Sequence, residues 1–417
     1  MGGAWFARTR CSHVLPRCFL GIVYGLSGFL ILHLFAGHRV LVITAAYLPF
    51  IAGAADRLVR LPTFYSNKRL LVKSILFSAL MILSGHYQMI FISAIGIFLW
   101  LTADRILNAE PNLRIKTLIR STASIAILFI AGAMIAAVQL LPSIATAELS
   151  QRTGEDYSFA ASFSASPLAL ITYLFPNFFG NRVDASFVGD FAFWESVGYF
   201  GIFPFLAVII ACTLLPFKKW APHILIIIIA LVLTLGAHTP LFDIYLKIVP
   251  GATMFRSPGR YTLLITLFGA HLGAMFLNEL LLDRFSKAKL RISVFVVWGF
   301  AALVTLFTAW FYLSDTSLEF YRACCDKGAL LSSESLVALM DVALSDMLKA
   351  SALLIGCSTV YSIIVLCSVR KTVLAALLIL LTLWDLNHYG KRFMITKTPD
   401  KFSFPTEIAK MLDSESK

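Results

Sequence analysis

Long apolar stretches alternate with short polar gaps along almost the whole chain, and the repeat matches a helix that crosses a bilayer. Such a helix needs about 20 mostly apolar residues. The stretches 19–36, 40–55, 70–84, 89–103, 121–144, 196–216, 222–236, 261–282, 292–313, 350–369 and 372–388 qualify, which predicts about eleven spans. Several are short, notably 40–55, 70–84 and 222–236, and short spans are tolerated where a helix is broken or re-entrant and shielded by protein. The pattern predicts an all-α polytopic membrane protein. Residues 1–393 form the multi-span domain, with outer loops at 145–195, 237–260 and 314–348, and residues 394–417 form a tail.

The polar gaps set the orientation. Basic residues recur in every second gap: Arg57, Arg60, Lys68 and Arg69; Arg105, Arg114, Lys116 and Arg120; Lys218 and Lys219; Arg284, Lys287, Lys289 and Arg291; Arg370 and Lys371. Lys and Arg beside membrane spans are retained on the cytoplasmic side. These gaps therefore read as cytoplasmic, as does the N-terminus, and alternation puts the C-terminal tail outside. The stretch after Arg8, Arg10 and Arg17 lacks a clear small-residue cleavage site, so it reads as an uncleaved first span.

Composition agrees. Apolar residues make up 59% and charged residues 14% of 417, with a mean hydropathy of +0.82. A soluble domain carries roughly 25% charged residues. The net charge of +12 is explained by positive-inside placement. No basic patch is interleaved with stacking aromatics, which excludes nucleic acid as a partner and leaves membrane lipid. Of seven cysteines only Cys324 and Cys325 fall in an outer loop, and their spacing fits neither a disulfide framework nor a zinc motif.

Candidate chemistry sits in three outer gaps. Ser84-Gly85-His86-Tyr87-Gln88 is a tight turn that places an imidazole and an amide at the membrane surface, where both can hydrogen-bond a ligand. The segment 139–195 opens with Gln139-Leu140-Leu141-Pro142, where Pro142 bends or ends a span. It continues through Glu148, Arg152, Glu155 and Asp156 and a short stretch at 167–176 that reads as an interfacial helix. Asn177, Arg182, Asp184, Asp190 and Glu195 follow. The segment 236–260 reads as an amphipathic helix over 241–249, closed by Pro250-Gly251 and followed by Arg256 and Arg260. Two arginines outside run against the positive-inside bias, and arginine is the preferred bidentate partner of phosphate. The bland alternatives are solvated loop charges and headgroup anchoring.

These segments, in this order, resemble the YfhO family of bacterial membrane proteins. The matching pieces are Gly85-His86-Tyr87-Gln88, Gln139-Leu140-Leu141-Pro142, Leu174-Phe175-Pro176-Asn177-Phe178-Phe179-Gly180, Glu195 with Tyr199-Phe200-Gly201, the block 235–241, and Phe255-Arg256-Ser257-Pro258-Gly259-Arg260. They cover residues 19–282. Beyond 282 the likeness fades to hydropathy, apart from Asp385 and the tail.

The resemblance implies a GT-C type membrane glycosyltransferase in the bacterial cytoplasmic membrane. Such an enzyme takes a sugar from a polyprenyl-phosphate donor on the outer face and passes it to a cell-envelope glycan or lipid acceptor. It further implies Arg256 and Arg260 as phosphate ligands, His86 and Gln88 as lining for sugar or acceptor, and a divalent metal as a candidate cofactor. Arg152 and Asn177 complete the candidate binding set. GT-C enzymes carry their main acid in the first outer loop, yet here that loop, Ala36-Gly37-His38-Arg39, has no carboxylate. Asp184, Asp190 or Glu195 must then supply it. Family material at 19–55 normally follows an earlier span, and 402–407 looks like the start of an outer domain, so the resemblance implies a chain shortened at both ends. Two other classes compete: a non-catalytic membrane subunit, and a lipid or glycolipid transporter, which would need polar groups inside the spans such as His271.

Overall fold

The computed structural model describes residues 1–148, 157–184, 186–189, 192–325, 332–367 and 370–394. Its regular structure is helical, with no strand among the described residues. In chain order the helices are α1 (Gly2–Ala7), α2 (Val14–Gly25), α3 (Gly28–Phe35), α4 (Arg39–Leu58), α5 (Lys68–Leu83), α6 (Tyr87–Asn108), α7 (Arg114–Ile135), α8 (Ala137–Glu148) and α9 (Tyr157–Ala161). They continue with α10 (Phe193–Ser196), α11 (Ile202–Leu214), α12 (Phe217–Leu235), α13 (Pro240–Ile248), α14 (Thr262–Leu281), α15 (Lys287–Leu313), α16 (Ser317–Cys324), α17 (Ser333–Leu366) and α18 (Lys371–Lys391).

Nine helical stretches among the described residues are long and apolar enough to cross a membrane. They correspond to nine of the predicted spans, and the chain is an all-α polytopic membrane protein. The other two predicted spans, 70–84 and 196–216, fall on α5 and α11, with 16 and 13 residues. At 1.5 Å per residue these reach about 24 and 20 Å, short of the roughly 30 Å hydrocarbon core.

Boundaries differ from the sequence reading in three places. The predicted span 121–144 is two helices, because α7 begins at Arg114 and the chain breaks at Ala136, while Pro142 lies inside α8. The first span is α2 followed by α3, with the break held by Ser27 Oγ donating to the Tyr24 carbonyl at 3.0 Å and Gly28 N donating to the Tyr199 carbonyl at 2.8 Å. The expected loop 314–348 holds α16 and the first turns of α17, a helix of 34 residues. At about 51 Å it is longer than the roughly 30 Å core of a bilayer. The short stretch at 167–176 is a 3-10 helix, Pro167–Tyr173, and the amphipathic stretch at 241–249 is α13, started by Pro240 and capped by the Thr239 hydroxyl. Residues 395–417 of the predicted tail lie outside the described residues.

Helix α14 is the centre of the bundle. It is apolar all round and buried along nearly its whole length, with α2, α11 and α12 packed against it. Gly273 lets the Phe19 ring of α2 sit 3.1 Å from where a Cβ would be. Helix α1, which precedes the first span, is inserted into the bundle: the Phe6 ring stacks on His271 with centroids 4.0 Å apart. His271 also meets His223 at 2.9 Å, and His223 accepts from Trp100 Nε1 at 3.2 Å.

Two polar clusters close the bundle, one at each end. At the end that carries α1, Arg10 forks onto two carboxylates. Its Nη2 lies 2.8 Å from Asp56 Oδ1 and 2.8 Å from Asp104 Oδ2, with Nε and Nη1 completing both pairs at 3.1 Å. Arg60 adds a second pair to Asp56 at 2.9 Å. Asp56 and Asp104 are 0% and 2% exposed. One guanidinium thus ties α1 to α4 and α6, and the sequence reading had Arg10 only as a charge before the first span. Removing one partner of a buried pair costs about 3–5 kcal/mol. Arg10→Met should therefore lower the thermal unfolding temperature of detergent-solubilised protein clearly, and Asp104→Asn in the same chain should recover part of the loss.

Candidate functional site

At the opposite end of the bundle, four short connections are brought together. The turn 36–38 joins α3 to α4, and 84–86 joins α5 to α6. Helix α10 is a single turn after the long loop. Residues 255–261 lead into α14. Each is shaped by local rules. Gly37 and Gly85 take φ of 78° and 84° at helix C-termini, where a residue with a Cβ would be strained. His86 caps α6, its Nδ1 accepting from Met89 N at 3.3 Å. Ser257 stands at φ 61°, and Pro258 then starts the 3-10 turn Pro258–Tyr261. Gly259 presses on α10: a Cβ there would lie 2.2 Å from the Glu195 carbonyl oxygen. Only glycine allows the two turns to meet this closely.

The contact is organised by Arg260. Its Nε lies 3.1 Å from each Glu195 oxygen and its Nη2 lies 2.8 Å from Oε1. Its Nη1 donates to Gln88 Oε1 at 2.5 Å and faces His86 Nε2 at 3.5 Å. The Gln88 amide donates in turn to the Arg256 carbonyl. Gln88 is thus a tether between α6 and the 255–261 segment. On its other side Glu195 Oε2 lies 3.4 Å from His33 Nε2, at the end of α3. The imidazole of His38 completes the group, with ring centroids 5.3 Å from His33 and 5.9 Å from Trp194.

Charge follows from these contacts. Glu195 is 3% exposed. Burial favours the neutral acid, but His33 and the Arg260 guanidinium outweigh it and hold the carboxyl at about 2, so Glu195 is a carboxylate. Burial lowers His86 to about 4, with Arg260 adding to the shift. Burial and then the neighbouring His33 also lower His38.

Two cavities open onto the cluster and share His86 and Arg260 as their common wall. The first, about 590 Å³, is lined by Gln88, Leu140, Ile144, Phe159, Phe255 and Arg256 among others. The Arg256 guanidinium sits over the Phe159 and Phe163 rings, 6.0 and 5.5 Å from their centroids. Beside this cavity α8 leaves Val138, Leu141 and Ile144 exposed at 80%, 67% and 51%. The second, about 480 Å³, is lined by Gly37, His38, Arg39, Val40 and Leu41.

The structure thus brings together five residues singled out from sequence: His86, Gln88, Glu195, Arg256 and Arg260. It places two others elsewhere. Asn177 is buried and bound to Asp346, with its backbone N at 2.8 Å and its Nδ2 at 3.1 Å from the carboxylate. Asp184 is exposed and closes its own turn, accepting from Asn181 Nδ2 at 2.9 Å and Ser186 N at 3.1 Å. Those hydrogen bonds outweigh its partial burial and hold it below the usual carboxylate range. A separate cavity of about 570 Å³ is lined by Asn181, Asp184, Asp341, Asp346 and Arg392. Arg152 and Asp190 lie outside the described residues. His33 and His38 are the additions. Their only signal in the sequence was their place, at and just after the end of the first span, in the turn that lacks a carboxylate.

Gly259→Ala should force α10 and the 258–261 turn apart, at the roughly 1–3 kcal/mol typical of overpacking, read as a lower unfolding temperature. A pH series should expose His86, which faces Arg260, with Glu195, His33 and His38 close by. A histidine lowered to about 4 in the fold binds its proton in the unfolded chain from about 6.5 downward. Its neutral form is fully compatible with the fold above that pH, and stability is lost between about 6.5 and 4. His86→Gln should flatten that part of the stability profile.

Comparison with protein-family models, with curated proteins and with solved structures finds no match for this chain.

Proposed function

We propose that this chain is a membrane glycosyltransferase of the GT-C type, related to the YfhO proteins it resembles. It would move a sugar from a polyprenyl-phosphate donor to a cell-envelope acceptor. The observation that carries the reading is the delivery of Glu195, from 160 residues along the chain, to the end of the first span, beside Arg260. That is where the family pattern calls for an acid and where the 36–39 turn has none. In this reading the Arg10 cluster lies on the cytoplasmic side and Glu195 on the outer face of a bacterial cytoplasmic membrane, which keeps the basic gaps inside.

The chemistry fits the two cavities. The larger one pairs basic groups with an apolar wall and suits a lipid phosphate, its prenyl tail lying along the exposed face of α8. The smaller one takes the acceptor. The acceptor oxygen attacks the anomeric carbon, and the bond from that carbon to the phosphate oxygen breaks. The electron pair leaves with the phosphate, stabilised by Arg256 and Arg260. The hydroxyl proton passes to Glu195. A carboxylate clamped by Arg260 is a weak base. A donor phosphate that draws Arg260 towards itself would loosen the clamp and raise the basicity of Glu195 as the reactants come together.

Membranes containing the protein, given a panel of radiolabelled polyprenyl-phosphate sugars, should transfer label to envelope material. Arg256→Ala should lower that transfer by about 10²-fold or more with the protein still in the membrane. Undiminished transfer by this variant would remove the assignment.

A transporter reading draws on the groups inside the bundle, Trp100, His223 and His271 in one chain of contacts. All three are 0% exposed. Substrate uptake into proteoliposomes that depends on His223 would favour it.

A further inference from the structure

We propose that His33, His38 and Glu195 form a binding site for a divalent transition metal of the zinc class, at the junction of the first span with α10. The proposal rests on donor atoms and burial and does not require glycosyl transfer, although the two readings share Glu195: a metal there would occupy the lone pair that sugar transfer gives to a proton.

The argument begins with His33. Its ring is fully buried, and Nδ1 lies 2.8 Å from the Phe29 carbonyl. A carbonyl only accepts, so Nδ1 carries the hydrogen, and in the neutral ring Nε2 is left with its lone pair. That lone pair faces Glu195 Oε2 at 3.4 Å and makes no hydrogen bond. Two electron-rich atoms do not stay face to face at 0% and 3% exposure unless a cation lies between them, either a proton on Nε2 or a metal ion. His38 Nδ1 is a second buried nitrogen with no hydrogen-bond partner. The left-handed Gly37, followed by His38 N donating to the His33 carbonyl at 2.9 Å, folds the second imidazole back over the first.

The three donor atoms lie within 4.8 Å of one another. Two imidazole nitrogens and one carboxylate oxygen are a set that zinc favours, with metal–ligand distances of about 2.0–2.2 Å. Small rotations of the rings would close the gap. The supporting contacts are present as well: the Phe29 carbonyl fixes the His33 tautomer and Arg260 orients Glu195. With three protein ligands, a fourth position stays open towards the cavity beside His38 and Arg39. Arg260 cancels the charge of Glu195, so a bound M²⁺ would leave the site net positive and receptive to an anion or hydroxide in that position.

The full chain, purified in detergent without a polyhistidine tag and stripped with chelator, would be titrated with Zn²⁺ against a chromophoric zinc indicator. Co²⁺ absorption would report the ligand set. The expected result is one tight site per chain. His38→Ala and His33→Ala should each weaken it by more than the roughly 10–100-fold that loss of a supporting contact costs. His38 lies in a turn, so its variant keeps the test decisive if His33→Ala fails to fold. Absence of a tight site in the stripped protein, or unchanged affinity in His38→Ala, overturns the proposal and leaves a proton as the cation between His33 and Glu195.

Discussion

An ionised carboxylate held at 3% exposure sets the terms for one whole end of this molecule. Glu195 belongs to a single helical turn, α10, packed against α3 and the turn at 258–261. It stays where it is because the Arg260 fork meets both of its oxygens and because Gly259 removes the side chain that would hold the two turns apart. A buried ion pair gives back little net stability once desolvation is counted, but it is strict about geometry. Its effect here is positional. It fixes the long loop against the start of α14, Gln88 extends the constraint to α6, and His33 extends it to α3. Parts from across the first 260 residues share one locus for that reason.

The opposite end follows the same logic with the charges reversed. There one arginine serves two carboxylates, and at the first end one carboxylate serves an arginine and a histidine. Both clusters lie at or just beyond helix ends. The bundle between them is apolar around α14, with the Trp100, His223 and His271 contacts among its buried polar groups. The two cavities at the Glu195 end share a wall made of His86 and Arg260. A ligand in either therefore touches the same guanidinium, and the two spaces are electrostatically coupled.

Boundary errors in reading the spans have physical causes. Pro142 is a strong breaking signal, yet α8 runs through it on an exposed face, and the bend comes earlier, at Ala136, where composition gives no warning. α5 and α11 are apolar and run between the two ends of the bundle, but at 16 and 13 residues each is shorter than the roughly 20 of a full-length span. Residues 314–348 read as a loop because the start of α17 mixes polar and apolar residues. Its inner face is set by partners such as Asn177 on Asp346, which lies 169 positions away.

Local chemistry by itself determined the membrane class, most of the spans and the short turns that carry polar residues, because hydropathy over some twenty residues and the demands of glycine and proline are properties of the chain in place. It also marked His86, Gln88, Glu195, Arg256 and Arg260 as candidates. It had no means of ranking Glu195 above Asp184, since both are loop acids in the same segment. Only the tertiary structure separated them. Asp184 closes its own turn in water, and Glu195 is carried into a buried contact with Arg260 and His33. The role of His33 was decided the same way, since an imidazole at the end of a span gains meaning only from what faces its second nitrogen. Ion-pair partners sixty or more residues apart are chosen by how helices pack, and that choice is made by burial and shape over the whole bundle rather than by any segment of it.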